Sequence, residues 1–298
     1  MLLAFALSGC AGFSTNSVRL DSTPRIAVLS AFEPELALLG KRLLGPARYQ
    51  VNGVEFTTGK LEGKPVVLFL SGISMTNAAM NTQLVLDRFN VNALVFSGIA
   101  GGVNPALHIG DVSVPSQWGQ YLEVLMARET APGKFSVPPG MEGQMFPPFG
   151  AQHPRSVETR TAANPKLAHK FWFEVDPNML AVARGLGGVE LSRCSAGPCL
   201  SSQPKVMVGG NGVSGQAFVD NAAFREYAFK TFQANVLDME TAAVGMVAYS
   251  NAVPYIAFRS LSDLAGGGEG GNEMTTFLNI AADNSAKVLL AFLAAWKP

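Results

Sequence analysis

Four runs in this chain are apolar at every position: residues 26–29, 66–70, 93–96 and 255–258. A strand with one face in water alternates apolar and polar side chains, whereas a strand covered on both faces need not. Runs of this kind therefore require a sheet buried between two layers of helices. The helices are legible between them. Residues 33–44 place Leu36, Leu39 and Leu43 on one face, and 76–89, 177–186, 221–230, 240–249 and 276–296 read as further helices. The first strand covers 25–31. Residues 50–61, 64–71, 111–115, 203–209 and 235–237 add strands, and the glycine cluster 98–102 reads as a turn. The expectation is an α/β fold, one domain in three layers, α/β/α.

Composition narrows the partners. The 298 residues carry 22 Lys and Arg against 22 Asp and Glu, with no basic stripe, which speaks against nucleic acid. The histidines His108, His153 and His169 pair with no second His or Cys at ligand spacing, so no metal site is expected. Hydrophobic residues make up 48% of the chain, enough for one large core, and neither repeat nor linker divides it after residue 25. Pro132, Pro138, Pro139, Pro147, Pro148 and Pro154 crowd one stretch and mark an excursion inserted at about residues 120–203.

Residues 1–24 read as a signal segment and tether ahead of a domain at 25–298. An apolar run at 1–7 leads into Leu7-Ser8-Gly9-Cys10-Ala11. That stretch resembles a bacterial lipobox, in which the cysteine is lipidated. Cys10 would then tether an exported protein, periplasmic or membrane-anchored. The run is too short to cross a bilayer, which takes about 20 apolar residues, and no Lys or Arg precedes it. An ordinary apolar terminus with a cytoplasmic location is the alternative. Cys194 and Cys199 are separated by four small or turn-forming residues, so a local disulfide is sterically accessible; a pair of reduced thiols is the other reading.

Acids stand at the ends of two apolar runs. Asp238 and Glu240 follow the strand ending at Leu237, and Asp263 follows the run ending at Phe258. The C-terminal edge of such a sheet is where ligands bind. Each acid alone has a plainer reading. Glu35 and Glu240 fit a helix's first turn, where a carboxylate complements the dipole, and Asp263 fits a turn. Met239 and Phe218 alone read as core residues.

Taken in order, Glu35, the turn at 98–102, Phe218, Met239-Glu240 and Arg259-Ser260-Leu261-Ser262-Asp263 resemble the nucleoside phosphorylase superfamily. Within it the chain resembles the 5′-methylthioadenosine/S-adenosylhomocysteine nucleosidases. Residues 194–221, with 109–112 and Trp118, are similar to the bark-storage-like branch. The resemblance spans most of residues 25–296 and is weakest over 120–200. It implies a central mixed, partly barrel-like sheet, a purine nucleoside substrate, no cofactor and a homo-oligomer.

Residue by residue, the resemblance implies Asp263 as the acid that protonates the leaving purine, with Ser262 orienting it. Glu240 would hold the ribose hydroxyls and Met239 would pack on the sugar. Glu35 would activate water. Phe218 would stack on the base, Val219 backbone groups would read its edge, Ile73 would line the 5′-pocket and Met274 would close it. Phe96 and Ile99 occupy the positions at which phosphorylases carry an arginine and a hydroxyl for phosphate. That favours water as the attacking group. Ile99 also departs from the Ser or Thr of many nucleosidases, which implies weaker positioning of that water. Hydrolysis of an N-glycosidic bond is the leading expectation. A phosphorylase, or a nucleoside-binding or storage-type protein without turnover, are the alternatives.

Overall fold

The apolar runs become the centre of one twelve-stranded mixed sheet. The structure, a computed structural model, describes residues 19–142, 146–194 and 198–297. Its first third comprises β1 (Asp21–Ser30), α1 (Glu33–Arg42), β2 (Leu44–Val51), β3 (Val54–Leu61), β4 (Lys64–Leu70), α2 (Met75–Arg88) and β5 (Phe89–Gly102). β6 (Val112–Val114) and β7 (Gln117–Gln120) lead into the expected excursion. There β8 (Val124–Met126), β9 (Arg128–Ala131), β10 (Lys134–Ser136), β11 (Gln152–Pro154), β12 (Val157–Thr159) and β13 (Ala168–Lys170) form three small two-stranded ladders. β14 (Trp172–Glu174) rejoins the main sheet beside β7, and α3 (Pro177–Arg184) follows. The chain closes with β15 (Val206–Val208), β16 (Asn211–Ser214), α4 (Ala222–Phe232), β17 (Ala234–Asp238), α5 (Thr241–Asn251), β18 (Tyr255–Asp263) and α6 (Met274–Ala295).

Along the sheet the order is β14-β7-β16-β17-β5-β1-β4-β3-β2, with β18 between β5 and β6 and β15 outside β6. β5 is the branch point. It pairs in parallel with β1 and β18, and its last two glycines pair antiparallel with β17. This branching curls the sheet into the mixed, partly barrel-like form. α1, α3 and α6 cover one side, with α6 lying on β18 and β5, while α2 and α5 pack together on the other. Val28, Leu29, Val95, Phe96, Ile256 and Phe258 are fully buried between these layers. α6 is long and apolar enough by composition to cross a membrane, yet Ile280, Val288, Leu289 and Phe292 sit in the protein core.

Four details differ from the sequence reading. Residues 50–61 are not one strand; a two-residue turn at Asn52 and Gly53, with φ of 51° and 80°, folds β2 back on β3. Both residues are left-handed there, as the tight hairpin turn requires. The glycine cluster 98–102 is not a turn but the continuation of β5, and β18 likewise runs on past Phe258 to Asp263. Residues 21–24 belong to β1 and not to a tether. Asp21 pairs with Phe89 and forms an ion pair with Arg25, and the Asn90 amide donates to the Ser22 carbonyl. Cys10 and residues 1–18 lie outside the described residues. Cys194 and Cys199 form a disulfide.

Candidate active site

Two strands bring acids to the two sides of one glycine. Leu237 of β17 and Asp263 of β18 both pair with Gly101 of β5. Asp238 ends β17, and Glu240 sits at the N-cap of α5 two residues later. Asp238 also starts α5: its Oδ1 accepts from the backbone N–H groups of Glu240 and Thr241, both at 3.2 Å, so first-turn donors are satisfied. Glu35 arrives from the first turn of α1, which opens with Glu33-Pro34 and ends with Lys41 and Arg42, a charge order that suits the helix dipole. Its side chain turns inward and is buried.

These residues line a cavity of about 260 Å³. Glu35, Asp238, Glu240, Ser262 and Asp263 supply its polar wall, while Ile73, Phe218, Val219, Met239 and Met274 contribute apolar surface. Every site position expected from the sequence outside the termini and the cysteine loop is therefore on one cavity. Phe218 and Ile73 remain 57% and 48% exposed, which puts them at its mouth. Among the described residues lining it, none is Lys, Arg or His.

The sequence reading missed the group that organises these acids. Arg259, on β18, is fully buried with its guanidinium 3.9 Å from the Phe96 ring centre. It lies 2.8 Å from Asp238 Oδ2, 3.4 Å from Glu240 Oε2 and 3.7 Å from Glu35 Oε1. It also donates to Thr241 Oγ1 from Nε and Nη2, at 3.0 and 2.8 Å, and to the Ile99 carbonyl at 3.3 Å. Thr241 Oγ1 and Ser214 Oγ both donate to Asp238. Reasoning from positions 96 and 99 gave no cation at this end of the site. One is present, entering from β18, but carboxylates enclose it. A lone Arg in a strand buried on both faces must find acids, and that was the available signal.

Gly98 makes this approach possible. A Cβ there would lie 2.1 Å from Arg259 Nη1 and 2.6 Å from Glu35 Oε1. Phe96 serves as the stacking face for the guanidinium, an arrangement that suits Arg better than Lys.

Electrostatics differ among the acids. Glu35 accepts from the Ala31 N–H at 2.6 Å and the Ile99 N–H at 2.8 Å. Burial nevertheless pushes its carboxyl above the ordinary range, with Arg259 and the backbone donors opposing. Glu240 accepts from the Ser74 N–H at 2.9 Å; burial and the nearby Asp238 and Glu35 raise it to about 7, against the pull of Arg259. Asp263 is raised by burial, while the Ala265 N–H and the Ser262 hydroxyl, each donating at 2.8 Å, oppose. Glu273 adds a smaller upward push. The arrangement offers three carboxyls that burial pushes toward holding a proton, and beside Glu35 and Glu240 a guanidinium that opposes that push. Proton donation to a leaving group and stabilisation of a developing cation are the chemistry it suits.

Residues 25–294 match the family model described as the phosphorylase superfamily. A 5′-methylthioadenosine/S-adenosylhomocysteine nucleosidase of Lysinibacillus sphaericus is 29% identical over 272 residues, covering 91% of this chain and 99% of that protein. The crystal structure of such a nucleosidase from Colwellia psychrerythraea, in complex with adenine, is 26% identical with a TM-score of 0.66, covering 92% and 96% of the two chains. Futalosine hydrolase of Helicobacter pylori shares the fold at 21% identity and a TM-score of 0.67, over 91% and 97%.

Proposed function

This chain belongs to the phosphorylase superfamily, and on that premise we propose that it hydrolyses the N-glycosidic bond of a purine nucleoside of the 5′-alkylthioadenosine type. The observation that carries the reading is one apolar cavity walled by Glu35, Glu240 and Asp263, whose nearest cation is already matched by three carboxylates.

In this reading the purine lies between Phe218 and Asp263. Asp263 delivers its proton to the base as the glycosidic bond lengthens, with Ser262 fixing the carboxyl by its hydroxyl. Glu240 accepts from the ribose hydroxyls, and its charge with that of Glu35 favours the electron-poor sugar. Glu35 takes a proton from the attacking water. Arg259 holds the carboxylates in register and keeps Glu35 available as a base. The apolar mouth, with Ile73 and Met274, suits a thioether at the 5′ position. Phosphate is disfavoured because a dianion in this cavity meets carboxylates before any free positive group.

We extend the same reading to an exported protein tethered to a membrane through Cys10, and to a homo-oligomer in which a second copy packs near the open mouth. Incubation with methylthioadenosine, adenosine and inosine, with and without phosphate, tests it. Phosphate-independent release of free base is expected. Tight binding without release favours a binding or storage role, and release only with phosphate overturns the assignment.

A further inference from the structure

The loop bearing Phe218 is fastened to α2 by a polar contact outside the cavity. Gln216 lies two residues before Phe218, and its Oε1 accepts from two hydroxyls of the first turn of α2, Ser74 Oγ at 2.9 Å and Thr76 Oγ1 at 3.0 Å. Neither Gln216 nor Ser74 lines the cavity. Ser74 is the N-cap of α2 and stands at φ 86°, ψ 151°, a region in which residues other than glycine are strained. In that conformation its backbone N–H points to Glu240 Oε1 at 2.9 Å while its hydroxyl points to Gln216. The residue before it, Ile73, lines the same cavity as Phe218. One strained serine thus joins a carboxylate of the site to the loop carrying its exposed aromatic ring.

We propose that Ser74 and Gln216 are positioning residues: they latch the Phe218 loop to α2, so that Phe218 and Glu240 are set for the nucleoside together. The inference rests on the nucleosidase reading for its use but not for its existence. Strain at Ser74 is retained because a glycine would free the backbone and supply no hydroxyl. The Gln216 amide is oriented by two donors on its oxygen, so the loop is held by the carbonyl end and a carboxylate can replace it.

Four single variants and one pair, read by kinetics, Tm and hydrogen exchange, test this. Gln216→Ala removes both hydroxyl contacts and is expected to raise KM for methylthioadenosine roughly three- to tenfold with kcat changed less than twofold. Gln216→Glu keeps an acceptor and is expected to restore KM. Ser74→Gly is expected to raise KM while its Tm is no lower than wild type, because strain is relieved. A merely structural contact would lower Tm and spare KM. The Ser74→Ala and Gln216→Ala pair should be non-additive in KM. Hydrogen exchange in the ligand-free protein is the third readout: Gln216→Ala should speed exchange at residues 73–77 as well as 215–219. Unchanged KM, or additive effects with exchange altered at one segment only, overturns the latch. If the wild type cleaves no purine nucleoside yet exchange remains coupled, the latch stands and the nucleosidase reading falls. If both fail, both are wrong.

Discussion

Replacing Arg259 by Met tests the electrostatic centre of the site, because it keeps the volume and removes the charge. The guanidinium lies within 2.8, 3.4 and 3.7 Å of three carboxylates and is fully buried. At an effective dielectric constant of about 20, each contact carries roughly 4–6 kcal/mol of attraction before desolvation. Most of that is offset by the cost of burying the charges, and removal of one partner from a buried pair costs about 3–5 kcal/mol net. That is a large part of a total stability of about 5–15 kcal/mol. The loss has a pH signature. Without the guanidinium, Glu35 and Glu240 are pushed further up, so their neutral forms persist to higher pH. Protonation relieves the variant in acid, and the deficit is therefore smallest near pH 5 and grows toward pH 8. Urea unfolding of both proteins at the two pH values measures it. A deficit below about 1 kcal/mol, or one equal at both pH values, would refute the view that Arg259 neutralises this cluster.

Further predictions follow from individual residues. Asp263→Asn should lower kcat about 10²–10⁴-fold for unactivated purines while nucleoside affinity stays near wild type; full turnover removes its role as the acid. Activity should follow a bell-shaped pH profile, falling in acid as Glu35 gains its proton and in base as Asp263 loses it, and a profile flat on either side counts against that pairing. Glu240, raised from 4.5 to about 7, holds in the folded state a proton that the unfolded chain releases. Its contribution is present below pH 4.5 and lost as pH rises through 7, worth up to about 3 kcal/mol. Glu240→Gln should flatten that slope, and an identical slope in the variant contradicts the assignment. Gly98→Ala, which forces a methyl group against Arg259 and Glu35, should cost about 1–3 kcal/mol and most activity; wild-type turnover would show that the contact is loose.

The layers were legible because buried strands cannot hide: residues 26–29, 66–70, 93–96 and 255–258 admit no solvent face, and all lie within strands of one sheet. Strand ends were harder. Residues 98–102 look like a turn by composition, yet they continue β5 because glycine lets Arg259 and Glu35 approach its backbone. The hairpin at Asn52-Gly53 was readable in principle from its dipeptide. The acids were found through their neighbours in sequence, and the cavity collects them. Arg259 belongs to the same motif, yet its role depends on which strand faces which, and a local pattern does not reveal that. Contacts such as Gln216 with Ser74, separated by 142 residues, depend on tertiary packing alone.

The sugar product formed in phosphate buffer probes the chemistry most closely. With methylthioadenosine as substrate, phosphorus NMR of the completed reaction should show inorganic phosphate only, while chromatography of the same sample shows adenine and a free reducing sugar. Accumulation of a sugar 1-phosphate would mean that an anion, and not water, reaches the anomeric carbon, contrary to a site walled by Glu35, Glu240 and Asp263.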